Sequence, residues 1–172
     1  STAFSTATDT AIFDVTPVND APVLDNTKTP AGTAVLEDAG VPSGTVGTLV
    51  SALVNLNPPA GGLDNVTDVD DTVTGIAVIG ADTANGTWHY SIDGGSNWLA
   101  LGAVTDDSAR LLAPDARLYF QPDADYDGQA EITFRAWDQD TGSNGGLADP
   151  TPAGGSTAFS TATDTAIFDV TP

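Results

Sequence analysis

Oxygen ligands gather at four places along the chain. Asn19-Asp20 is the first, Glu37-Asp38 the second and Asp68-Val69-Asp70-Asp71 the third. The fourth flanks an apolar run, with Asp123-Ala124-Asp125-Tyr126-Asp127-Gly128 before it and Asp138-Gln139-Asp140 after it. Carboxylates and amide oxygens are hard ligands, and Ca²⁺ takes about six to eight of them. Asp68, Asp70 and Asp71 would repel one another unless a cation sat between them. Asp123–Gly128 reads D-x-D-x-D-G, the first half of an EF-hand loop, in which alternate aspartates converge on one ion. The second half fails, because Phe134 stands where the bidentate Glu belongs. The segment is therefore either a calcium loop in another framework, completed from elsewhere, or an Asp-rich turn.

Other chemistry finds few residues. There is no cysteine, so no disulfide and no thiolate site. His89 is the only histidine, and with no second His or Cys it completes neither a zinc site nor a nucleophilic triad. Aspartates in short turns do not make the cleft that raises one carboxyl for glycoside cleavage, so no enzyme is expected. Trp88, Trp98 and Trp137 offer flat faces for sugars, or simply fill a core.

Four Lys+Arg face 24 Asp+Glu, for a formal net charge of −20. Nucleic acid and anionic membranes are excluded as partners by like charge, and cations are favoured. Glu37 and Glu131 are the only glutamates. A merely solubilising surface would use Glu as freely as Asp. No apolar run is long enough to span a membrane, and no export signal is visible in these residues.

The elements that must position these ligands read as strands. Gly, Pro, Thr, Asp and Asn punctuate short runs in which apolar residues alternate. Strands are expected at Ala34–Glu37, Thr45–Leu53, Val73–Ile79, Thr87–Ile92, Trp98–Leu101, Arg117–Gln121, Ala130–Trp137 and Thr165–Val170. Asp93-Gly94-Gly95-Ser96 reads as a tight hairpin turn. Asn55–Asn65 and Asp140–Gly155 read as loops, the second lying ahead of a final strand. This pattern predicts an all-β, Ig-like Greek-key β-sandwich.

Residues 1–17 and 156–172 are identical, STAFSTATDTAIFDVTP, which sets a period of 155 residues. The expected organisation is residues 1–17 as the last strand of a preceding repeat and 18–172 as one complete sandwich. The seam Val15–Pro22 carries two prolines and reads as a stiff hinge between stacked units. The orphan segment 1–17 is expected either to extend away or to pair with another molecule.

These motifs occur in an order that resembles bacterial cadherin-like tandem repeats. Val18-Asn19-Asp20-Ala21-Pro22, Leu36-Glu37-Asp38, Asp68-Val69-Asp70-Asp71, Phe120–Gly128 and Phe134-Arg135-Ala136-Trp137-Asp138 carry the likeness. Gly86–Trp98 is similar to a segment of repeats in giant type I-secreted RTX adhesins. The resemblance implies an extender module of an extracellular, bacterial surface adhesin, with Ca²⁺ at its junctions and identical repeats as partners. It places Glu37, Asp123 and Asp125 at the distal junction, and Asn19, Asp20, Asp68, Asp70 and Asp138 at the proximal one. Asp38, Asp71, Asp127 and Asp140 complete the candidate ligands. Thr16 stands where a cadherin linker begins with Asp, and the RTX nonapeptide repeats are absent. The alternative is a carbohydrate- or protein-binding sandwich that uses a Trp88/Trp98 face.

Overall fold

A computed structural model describes residues 3–56, 65–71 and 74–172. Among the described residues twelve strands and one short helix follow in chain order. They are β1 (Val23–Leu24), β2 (Val35–Leu36), β3 (Thr48–Leu49), α1 (Ser51–Val54), β4 (Val66–Thr67), β5 (Gly75–Ala81) and β6 (Gly86–Ser91). Then come β7 (Leu99–Ala100), β8 (Ala109–Leu112), β9 (Arg117–Pro122), β10 (Gly128–Trp137), β11 (Leu147–Ala148) and β12 (Asp164–Thr171). One sheet has the order β11-β8-β5-β10-β12-β2 and a second the order β3-β9-β6-β7, with a separate β1-β4 ribbon. The chain is an all-β sandwich.

Alternation builds the core between the sheets. Ile132, Phe134 and Ala136 of β10 and Ala166, Phe168 and Val170 of β12 point inward, against Trp88, Tyr90, Leu118 and Phe120 of the facing sheet. The Trp88 ring meets Phe168 edge-on at 4.8 Å and Phe120 at 5.0 Å. Leu24 and Val66 of the ribbon join the same cluster. A second cluster lies on the outer face of the six-stranded sheet. There Ala77, Ile79, Leu111 and Trp137 are covered by Ala158 and Phe159, so β5 is buried on both faces and loses its alternation.

Several expectations need adjustment. Thr45–Leu53 is not one strand: after β3 the chain turns into α1, which brings Val50, Leu53 and Val54 together at helical spacing in the core. The run expected at Val73–Ile79 begins at Gly75 among the described residues, and Val73 lies outside them. Residues 57–64 of the expected Asn55–Asn65 loop also lie outside the described residues. The turn at Asp93–Ser96 is wider than a two-residue hairpin, since β6 and β7 pair only at His89–Ala100 and Tyr90–Leu99. Its Gly95 has φ 95°, and a Cβ there would lie 2.0 Å from the Gly44 carbonyl oxygen. The Asp140–Gly155 loop is tied down, with β11 paired to β8 and Ala113 N–H donating to Asn144 Oδ1 at 3.0 Å. No helix among the described residues is long and apolar enough to cross a membrane.

Candidate metal centre

Strand pairing explains why distant aspartates meet. β5 and β10 are antiparallel with Gly75 opposite Trp137, so Asp71, just before β5, lies beside Asp138, just after β10. β1 and β4 are antiparallel with Val23 opposite Thr67, so Asp20 lies beside the Asp68–Asp71 turn. One carboxylate oxygen from each of Asp68, Asp71 and Asp138 lies within 4.8 Å of the others. Two Ca²⁺–oxygen bonds laid end to end span about 4.6–5.2 Å, so the three oxygens fit around one such ion.

The surrounding hydrogen bonds orient this set. Asp68 Oδ1 accepts from the N–H groups of Asp70 and Asp71, both at 3.2 Å. Asp68 Oδ2 is buried and has no hydrogen-bond partner. Asp138 is 3 % exposed. Its Oδ1 accepts from Asp140 N–H at 2.8 Å, and its Oδ2 from Asn19 Nδ2 at 2.8 Å. Gln139 between them takes a left-handed φ of 76°, which turns the chain back so that Asp140 reaches Asp138. Asp20 N–H donates to Asp70 Oδ2 at 3.2 Å. The Asn19-Asp20 seam is thus bonded to the acidic cluster from outside the sandwich.

Two carboxyls of this cluster are raised by their surroundings. Burial pushes the Asp68 carboxyl up, helped by the neighbouring Asp70. Burial also pushes Asp71 up, followed by the charges of Asp138, Asp70 and Asp140. Turn-building aspartates behave oppositely. Asp25 is held down first by the Thr27 hydroxyl, Asp149 first by the Thr151 hydroxyl, and Asp93 first by the Asn97 N–H. Asp25, Asp93 and Asp149 carry charges that their own turns already satisfy. Asp68 and Asp71 do not, and a cation beside the unpartnered Asp68 oxygen would supply what it lacks.

The remaining candidates sit at the opposite pole. Asp125 N–H donates to Asp38 Oδ1 at 3.0 Å, so the Glu37-Asp38 and Asp123–Gly128 segments do meet. Asp38 and Asp125 share a left-handed backbone, φ 61° and 59°. Glu37 is fixed by its N–H to Thr171 O at 2.7 Å, at the end of β12. Asp38, Asp123, Asp125 and Asp127 are exposed. Among the described residues no three carboxylates converge at this pole as they do around Asp138.

One aspartate outside these clusters stands out. Asp164 Oδ2 is buried without a hydrogen-bond partner, and burial, with a smaller push from Asp25, raises its carboxyl. A single Asp among Thr residues gave no sequence signal. His89 is half-buried with Nε2 3.1 Å from Gln121 Oε1. Trp88 is 2 % exposed and donates its indole N–H to Asp82 O, so its ring offers no face to a sugar. Trp98 packs against Tyr119 at 6.0 Å. Comparison with protein-family models, with curated proteins and with solved structures found no match.

Proposed function

We propose that the chain is a non-enzymatic structural repeat that binds Ca²⁺ where consecutive units join. On this reading residues 18–172 form one unit and 1–17 belong to its predecessor. The array is the stalk of an extracellular bacterial adhesin, and its partners are neighbouring copies of the same repeat. The observation that carries the reading is the Asp68/Asp71/Asp138 set with its unpartnered Asp68 oxygen, held beside Asn19 and Asp20 where the seam enters the fold. The opposite pole supports it: β12 ends there beside Glu37, and Asp38 and Asp125 are exposed, waiting for ligands from a following unit. The likeness to cadherin-type repeats supplies the adhesin and its location. A binding face on Trp88 and Trp98 is disfavoured by the burial of Trp88.

An ion that binds only the folded state stabilises it by about 2.7 kcal/mol at a hundredfold excess over Kd. For a chain of this size that corresponds to a rise in Tm of about 5–11 °C. Calorimetry in saturating Ca²⁺ and in EDTA tests this. An unchanged Tm would remove the proposal.

A further inference from the structure

The two sheets leave a groove between them on one side. β2 is the edge of the six-stranded sheet and β3 the edge of the four-stranded one. Beside these edges lies a groove of about 510 Å³ lined by Val35, Leu36, Val46, Gly47 and Tyr119, with Glu37 and Asp38 at its acidic end. Hydrogen bonds fix its shape. Thr33 N–H donates to Thr48 Oγ1 at 2.7 Å, which ties one edge to the other. Arg117 Nη1 donates to Val46 O at 3.3 Å and to Gly47 O at 3.2 Å, and Tyr119 Oη donates to Gly40 O at 3.2 Å. Leu36, on this groove, is 64 % exposed. We propose, resting on the tandem reading above, that this groove seats Val69 of the following unit. Consecutive units then meet through an apolar knob as well as through an ion.

The groove lies where a following unit attaches. β12 runs parallel to β2 with Thr171 facing Leu36, and Glu37 N–H donates to Thr171 O at 2.7 Å. At the seam the counterpart of Thr171 is Thr16, followed by Pro17, Val18 and Asn19. Asn19 is bonded to Asp138, and Asp20 N–H to Asp70 Oδ2. Three residue steps reach at most about 11 Å, and neighbouring strands lie about 4.8 Å apart. The seam therefore holds the groove of one unit next to the Asp68–Asp71 turn of the unit after it.

That turn carries the knob. Val69 is 87 % exposed, although the turn around it is fixed by the two N–H bonds to Asp68 Oδ1. Asp68 and Asp71 converge on Asp138, while Val69 between them stands in solvent. Val23, opposite Thr67 on the same ribbon, is exposed too. Seating Val69 in the groove removes apolar surface from water on both partners. Carboxylates border each side of this contact, Glu37 and Asp38 on the groove, Asp68 and Asp70 beside the knob. Their repulsion keeps the units apart until a divalent ion neutralises it. The ion permits the approach, and the apolar contact sets its direction. Knob and groove lie on opposite poles, so the contact is heterologous and extends as an open line.

A chain of residues 1–172 followed by a second 18–172 tests the seat. The natural sequence has no cysteine, so the only bridge is an engineered one. V69C in the second unit is combined with L36C or with V46C in the first. A disulfide requires Cα atoms within about 7 Å. In saturating Ca²⁺, one of these pairs should close at least about tenfold faster than V69C with L147C, since β11 lies at the far edge of the six-stranded sheet from β2. Closure of neither pair above the L147C control overturns the proposal.

A second measurement needs no cysteine. V69S in the second unit leaves all three converging carboxylates in place. Scattering in Ca²⁺ should then show a shorter and broader distance distribution than the parent. V69S in the first unit, whose Val69 has no groove before it, should leave the profile unchanged. Identical profiles for the two placements overturn the proposal. The calcium-induced gain in Tm of the 172-residue chain reads ion binding by itself. A gain that persists while both bridges stay open removes the groove alone, whereas loss of the gain removes the calcium reading.

Discussion

Aspartates in this chain shift in two directions, and the surroundings of each decide which. Asp25, Asp93 and Asp149 titrate low because donors of their own turns favour the charged form. Their contribution to stability is present above the ordinary value of 3.8 and is lost as pH falls through their depressed values. Asp68 and Asp71 titrate high, so their ionised forms cost stability at neutral pH, and that cost disappears as pH falls through their raised values. In EDTA, Tm should therefore rise as pH falls through the raised values of Asp68 and Asp71 toward the ordinary 3.8, and fall in stronger acid. A Tm that declines steadily from pH 7 contradicts the assignment. Asp68→Asn keeps an oxygen for the Asp70 and Asp71 N–H groups and removes the charge. It should raise Tm in EDTA yet abolish most of the calcium-induced gain, whereas loss of a purely structural residue would lower Tm in both. Sequence marked Asp68 and Asp71 because three acids in four residues are conspicuous. It could not rank them above Asp70, since burial and the approach of Asp138 arise only when β5 pairs with β10.

At the scale of elements, the long strands were legible, and of the short ones β2 and β7 fall inside the expected Ala34–Glu37 and Trp98–Leu101 while β1, β4, β8 and β11 were not expected. β6, β9, β10 and β12 carry alternation over six or more residues and lie within two residues of their expected bounds. β1, β4 and β11 are two-residue ladders, too short to show any period. β8 is missed because Ala109–Leu112 is buried almost throughout, sandwiched between the core and the Phe159 cluster. What joins these pieces is equally invisible in sequence. Arg110 of β8 donates to Leu101 O, just beyond β7 in the other sheet, at 3.0 Å and to Gly145 O at 2.8 Å. Its guanidinium also lies 5.1 Å from the Tyr90 ring centroid. One cation thus ties both sheets and the Asp140–Gly155 loop together. Arg110→Met should cost about 2–4 kcal/mol, because it leaves two carbonyls without their charged donor. Urea unfolding at fixed calcium measures it, and a loss below about 0.5 kcal/mol would mean that β11 pairing and the Asn144 bond hold the loop without Arg110.

For the whole molecule, what matters is that the two acidic poles lie at opposite ends of β10, with the seam at one and the end of β12 at the other. The net charge of −20 makes every pole-to-pole approach repulsive unless a cation intervenes. Monovalent salt only screens such charge over a Debye length of about 8–10 Å. On the proposed function, a divalent ion held by Asp68, Asp71 and Asp138 would neutralise it at the contact itself, while Asn19 and the Pro17–Pro22 stretch would limit how the joint bends. In a chain of two periods, calcium should therefore lengthen and stiffen the particle. Each unit is at least as long as the roughly 34 Å of a ten-residue strand, so in Ca²⁺ the maximum dimension should exceed that of one period by about that length or more. In EDTA at the same ionic strength the joint should bend and the distance distribution should shorten and broaden. Small-angle scattering resolves the two cases, and identical profiles with and without the ion would show that the acidic poles do not govern the joint.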